Sequence, residues 1–224
     1  MQIPFKTLEN YYDLLLENEA HYHRLQNGDA DLEYLNPRDY LSYRIGFVDV
    51  FNNLNKLLEI NPKTIVDIGC GCNHFKNFIP NLIGVDPKGG DPNYRKVDIA
   101  RAFNTEFSNE YKHSFHAAFS INSIHFITLD YMKRQILEFA NIIKPGGRGY
   151  IALNLARMVE DTPYKKNTDY LLELFGTETP DINQCRNYVK KELDTLDLDV
   201  LTYEIDFTIY DAYLNGNIRL IFNV

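Results

Sequence analysis

TIVDIGCGCNHFKNFIPNLIGVDP, from Thr64 to Pro87, decides how the rest of the chain is read. Ile65, Val66 and Ile68 form a short apolar run of the kind expected in a parallel strand buried on both faces. Asp67, Gly69 and Gly71 follow as D-x-G-x-G. Glycine suits such a turn because a side chain would block close approach of the backbone to a ligand at the mouth of the sheet. A second strand, Leu82 to Val85, then delivers Asp86 at its C-terminal end, where a carboxylate can accept two hydrogen bonds from a ribose diol. The stretch reads as a cradle for a nucleotide-type cofactor.

Two cofactors suit such a cradle, and the third glycine position separates them. A dinucleotide fingerprint reads G-x-G-x-x-G, its last glycine letting helix pack tightly on strand around a pyrophosphate. His74 stands at that position, and the chain holds no other G-x-G-x-x-G. An imidazole there argues against NAD or FAD. S-adenosylmethionine carries no pyrophosphate and needs only the first two glycines, with a strand carboxylate near its methionine ammonium.

On these residues the chain resembles the class I S-adenosylmethionine-dependent methyltransferases, over roughly residues 60 to 224. The resemblance implies a Rossmann-like α/β fold: a doubly wound, mostly parallel, seven-stranded sheet ending in an antiparallel hairpin. It further implies that Asp67, Gly69 and Gly71, with Cys70 between them, wrap the methionine part of the cofactor. Asp86, followed by Pro87, would bind the ribose hydroxyls. Asp98, in YRKVDIA, and the Ile99 backbone would meet the adenine. The segment Ser120 to Phe126 would form the floor under the methionine, with Ser120 and Asn122 binding it.

Two departures from the family pattern stand out. Asn73 occupies a position where many members carry a further glycine, although Asn tolerates the left-handed backbone better than most residues. The crossover is also short: Asp67 and Asp86 are nineteen positions apart, which leaves little more than one turn of helix, Phe75 to Ile79, for a connection that ordinarily takes about a dozen residues.

Composition fits one domain with a full core, since 45% of the 224 residues are hydrophobic and 24% charged. Lys6, Glu9, Asp13, Glu17 and Glu19 interrupt the first apolar residues, so no signal-peptide h-region is expected. No run approaches the roughly 18 apolar residues of a membrane span. Three cysteines, Cys70, Cys72 and Cys185, make an odd count with two inside the glycine turn, which suggests a reduced, cytoplasmic setting. The net charge of −8 disfavours nucleic acid, because such binding draws most of its affinity from Lys and Arg on phosphates. Lys165, Lys166, Lys190 and Lys191 read as solvated faces rather than as a basic patch. The partner expected is therefore a small molecule.

Beyond the cradle the chain alternates as a doubly wound domain does. A third strand is expected near Arg95 to Asp98 and a fourth from Ser114 to Ser120. Thr128 is a candidate N-cap for a helix whose Met132, Ile136, Phe139, Ala140 and Ile143 recur at helical spacing before Lys144, Pro145, Gly146 and Gly147 stop it. A fifth strand, Tyr150 to Leu155, and a helix from about Ile182 to Leu193 follow. Strand-like runs Val200 to Tyr210 and Ile218 to Val224 flank DAYLNGN, whose Asn215 and Gly216 are strong turn formers. The terminal hairpin favours the methyltransferase resemblance over a dehydrogenase.

Residues 1 to 60 read as a helical extension or cap, with Leu41, Ile45, Val48, Leu54 and Leu58 on one stripe, ahead of the cofactor domain at 61 to 224. Arg44 there is a candidate for the methionine carboxylate, a role suited to a bidentate guanidinium, set against an ordinary surface arginine. Methyl transfer to an O or N atom needs a base only if the acceptor must lose a proton. His125, in SINSIHF, is the candidate, set against a structural histidine at a helix start. No metal is expected: Cys70, Cys72 and His74 form C-x-C-x-H, tighter than usual zinc-ligand spacing. The open alternatives are a methyltransferase-like cofactor-binding protein without turnover, an RNA-modifying methyltransferase and, least well supported, an NAD-dependent oxidoreductase.

Overall fold

The computed structural model describes residues 50–71, 73–90, 96–121, 123–124, 129–154, 172, 176–177, 181–210 and 213–224. The chain divides into two compact units, Met1–Asn61 and Pro62–Val224. In the first, residues 50–58 are helical, and Val50, Phe51, Leu54, Leu57 and Leu58 are buried.

The second unit is built on a six-stranded sheet in the order β2-β1-β3-β4-β6-β5. The strands are β1 (Ile65–Ile68), β2 (Leu82–Val85), β3 (Phe115–Ile121), β4 (Ile143–Asn154), β5 (Asp199–Tyr210) and β6 (Tyr213–Asn223). β1 to β4 run parallel, while β6 is antiparallel to both β4 and β5. This is a Rossmann-like α/β arrangement, a mostly parallel sheet closed by an antiparallel hairpin, with six of the seven expected strands among the described residues. Of the expected third strand near Arg95 to Asp98, the described residues show a single parallel bridge between Val85 and Ile99, and Arg95 lies outside them. One of its hydrogen bonds to β2, that from Gly84 N, is made by a side chain.

Helices α1 (Thr105–Glu110), α2 (Leu129–Asn141) and α3 (Ile182–Leu193) lie over one face of the sheet. Phe107, Met132, Ile136, Phe139, Val189 and Leu193 join Val66, Ile68, Ala118, Ile151, Leu153, Leu220 and Phe222 in one buried cluster. In α2 the expected Met132, Ile136, Phe139 and Ala140 are buried, with Gln135 beside them, while Ile143 falls at the start of β4. α3 begins where expected because Asp181 makes a capping box: its Oδ1 accepts from Asn183 N at 2.8 Å and Gln184 N at 2.9 Å, and Asp181 N donates back to Gln184 Oε1 at 2.9 Å. Alternation places Ile65, Asp67, Phe119 and Tyr150 on the opposite face. There Phe75 meets Phe119 edge-on at 5.5 Å.

Three local expectations change. The short crossover is a single 3-10 turn, His74–Asn77. β4 starts at Ile143 and absorbs Lys144 to Gly147 as a bulge before the ladder resumes at Arg148, with Gly146 N donating to Val224 O at 2.8 Å. Asn215 and Gly216 are paired inside β6, opposite Thr208 and Phe207, so the hairpin closes instead between the paired Tyr210 and Tyr213.

Candidate functional site

The site is the C-terminal edge of β1 and β2, where the glycine turn leaves the sheet. Gly69 N and Cys70 N both donate to Val85 O, at 2.8 and 3.0 Å, so the turn is tied to the end of β2. Gly69 has φ 74, and a Cβ there would lie 2.1 Å from the Cβ of Ser123. Glycine is thus required twice over, by backbone conformation and by space. Gly71 has φ 53, yet a Cβ on it would meet nothing within 4 Å. Its open side is where a ligand can approach the backbone.

Asp86 holds this turn in shape. Its Oδ2 accepts from Gly71 N at 3.0 Å and its Oδ1 from Lys88 N at 2.9 Å. Pro87 is exposed in a tight turn that Gly89 N closes onto Asp86 O at 3.1 Å. The carboxylate is oriented by backbone donors and still partly accessible.

Asp67 lies deeper, at 3% exposure, and among the described residues no hydrogen bond reaches its carboxyl. Burial, then the neighbouring Asp86 carboxylate, push its pKa well above the ordinary 3.8. Both effects disfavour the bare anion, so the position is matched to a proton or to a cationic group. Cys70 is half-buried, and burial followed by Asp67 and Asp86 pushes its thiol pKa upward, which keeps it a thiol rather than a nucleophilic thiolate.

The floor comes from the end of β3. Ser120 is fully buried, and its Oγ donates to Ile68 O at 2.9 Å. Ser123 donates to Gly69 O at 2.8 Å and packs where a Gly69 side chain would go. Ser123 lies within the Ser120 to Phe126 floor expected from the sequence but was not singled out there, although a hydroxyl just past a strand end is placed to bond nearby backbone.

Asp98 and Ile99 lie one strand outward from Asp86. Asp98 Oδ2 accepts from Gly84 N at 2.8 Å and from Asn73 Nδ2 at 3.4 Å, while its Oδ1 pairs with the Lys76 ammonium. Ile99 N donates to Gly84 O at 3.0 Å. The carboxylate thus takes the Gly84 N–H that a neighbouring strand's carbonyl would have taken. Asn73, fully buried in the left-handed conformation at φ 53, also donates to Lys96 O at 2.7 Å. Its amide fills the space a Cβ on Gly84 would occupy, and Asn73 Oδ1 is buried with no hydrogen-bond partner among the described residues.

The structure therefore brings Asp67, Gly69, Cys70, Gly71, Asp86, Pro87, Asp98, Ile99 and Ser120 to one edge of the sheet. Arg44, Asn122 and His125 lie outside the described residues. Among the described residues there is no group of three His, Cys, Asp or Glu that could hold a metal ion, and no helix long and apolar enough to cross a membrane.

No protein-family model matches the chain, and no curated protein matches it. Solved structures do, at low identity. An S-adenosylmethionine-dependent methyltransferase from Methanosarcina mazei is 13% identical over 72% of this chain and 92% of its own, with a TM-score of 0.43. The N-methyltransferase NodS from Bradyrhizobium japonicum, in complex with S-adenosyl-L-homocysteine, is 14% identical over 77% of this chain and 83% of its own, at 0.45. A putative methyltransferase from Bacillus halodurans is 11% identical over 77% and 98%, at 0.45. In fold the chain resembles S-adenosylmethionine-dependent methyltransferases.

Proposed function

We propose that the chain is an S-adenosylmethionine-dependent methyltransferase acting on an O or N atom of a small molecule. The observation that carries this is Gly71: a left-handed residue with open space on its side-chain face, its N–H held by the carboxylate that ends the next strand. A turn so arranged lets a ligand lie against bare backbone, with Asp86 already oriented toward a diol. His74 opens the 3-10 turn at the position where a dinucleotide fingerprint has its third glycine, which favours a cofactor without a pyrophosphate.

When bound, the cofactor would supply a sulfonium methyl group, whose carbon an acceptor lone pair can attack as the S–CH3 bond breaks and the neutral thioether leaves. The chain's own residues bind, orient and exclude water. Asp86 holds the ribose hydroxyls, Gly69 and Gly71 bring the backbone close, and Asp67 gives the methionine ammonium a buried counter-charge. Arg44 is assigned to the methionine carboxylate, Ser120 and Asn122 to the floor, and His125 to the acceptor proton where one must leave. A cytoplasmic setting is part of the same reading, supported by the free Cys70 thiol at the centre of the turn.

Calorimetric titration of the whole chain with S-adenosylmethionine tests this, with NAD as control. Saturable binding that Asp86→Ala weakens by about 1.5 to 3 kcal/mol, the range for a hydrogen bond to a charged group, is the expected result. A folded wild type that binds no S-adenosylmethionine sinks the proposal. Binding without turnover across a panel of O and N acceptors would leave a cofactor-binding protein instead.

A further inference from the structure

We infer that Lys76 sets the base selectivity of the cofactor site by placing a hydrogen-bond donor beside the Asp98 acceptor. The inference rests on the reading that a nucleoside-bearing cofactor occupies the cradle. With its ribose on Asp86, such a ligand extends outward past β2, toward the segment that the Val85 to Ile99 bridge lays alongside it. Asp98 and Lys76 are the charged pair at that edge, with side chains 36% and 30% exposed.

The backbone amides of Asp98 and Ile99 are already engaged. Ile99 N and Asp98 N both donate to Gly84 O, at 3.0 and 2.9 Å. Asp98 cannot turn away, because Gly84 N and Asn73 Nδ2 hold its Oδ2. On this carboxylate the remaining oxygen is Oδ1, which only accepts, beside the Lys76 ammonium paired with it, which only donates. An adenine amino group at this edge uses the carboxylate. A hypoxanthine carbonyl at the same position uses Lys76. The pair therefore accommodates both bases, whereas Asp98 alone would leave the carbonyl facing a carboxylate with no donor, an arrangement binding sites reject strongly.

The test compares S-adenosylhomocysteine with S-inosylhomocysteine by calorimetry on the full chain. Lys76→Met is expected to raise the preference for the adenine form about tenfold over wild type, the consequence of removing one charged hydrogen bond from one ligand only. Lys76→Arg, which keeps a donor, is expected to restore the wild-type ratio. The pair is surface-exposed, so neither change should disturb folding. A wild-type-like ratio in Lys76→Met overturns the inference while leaving cofactor binding intact. If wild type binds neither ligand, the functional reading fails and this inference with it.

Discussion

Gly69 and Gly71 are two residues apart with similar backbone angles, φ 74 and 53, yet the structure assigns them different costs. A side chain on Gly71 meets open space, so Gly71→Ala is expected to lose only the left-handed penalty, about 1 to 2 kcal/mol. Gly69→Ala adds a collision with Ser123 and is expected to lose about 2 to 4 kcal/mol in all. Urea denaturation of both variants checks the order, and equal losses would show that Ser123 yields freely. Asp67 makes a separate prediction at this scale. Its folded pKa is raised above 3.8, so the folded state holds the proton more tightly than the unfolded chain. Stability from this group is therefore present at low pH and lost as pH climbs from about 3.8 through the folded value. Asp67→Asn removes that loss. The variant should gain on wild type as pH rises above about 4 in denaturation series, and a pH-independent difference would mean that Asp67 ionises freely in the fold.

Among the elements, β2 shows how much of the site a sequence can carry. Its apolar run, its length and the placing of Asp86 at its end were legible, because periodicity and a terminal carboxylate are local signals. The use of a carboxylate in place of a carbonyl of its outer neighbour was not. Asp98 reads as an acid ending a strand, and nothing in its own neighbourhood says that its side chain will hold Gly84 N. Asn73 is similar: its tolerance of the left-handed backbone was legible, and its role under Gly84 depends on a fold not visible in the turn. At the hairpin, Asn215 and Gly216 give a strong turn signal, but pairing of β6 with both neighbours carries the ladder past them, and register set by two partners overrides a local preference. The β2 arrangement predicts that Gly84→Ala, whose added methyl would lie 2.1 Å from Asn73 Nδ2, costs about 1 to 3 kcal/mol by overpacking. It should also weaken S-adenosylmethionine binding by loosening Asp98, as calorimetry would show. A destabilised variant with unchanged affinity would separate Asp98 from the ligand.

In the molecule as a whole, the cradle belongs to the unit Pro62–Val224, and its parts come from segments far apart in sequence: the turn after β1, the end of β2, the bridge at Ile99 and the loop after β3. A ligand that touches all of them binds only when the sheet is assembled, so its binding energy adds to folding. At a free concentration 100 times its dissociation constant, S-adenosylhomocysteine should stabilise the protein by about 2.7 kcal/mol. Amide exchange is expected to slow most at Gly69, Cys70 and Gly71 and at the end of β2, where backbone donors face the turn. In Asp86→Ala the Gly71 and Lys88 amides lose their common acceptor, so the same ligand concentration should give a clearly smaller increment, and NAD should give none in either protein. Equal stabilisation by NAD would move the site back to dinucleotides. An undiminished increment in Asp86→Ala would place the ribose away from β2, and with it the base away from Lys76 and Asp98.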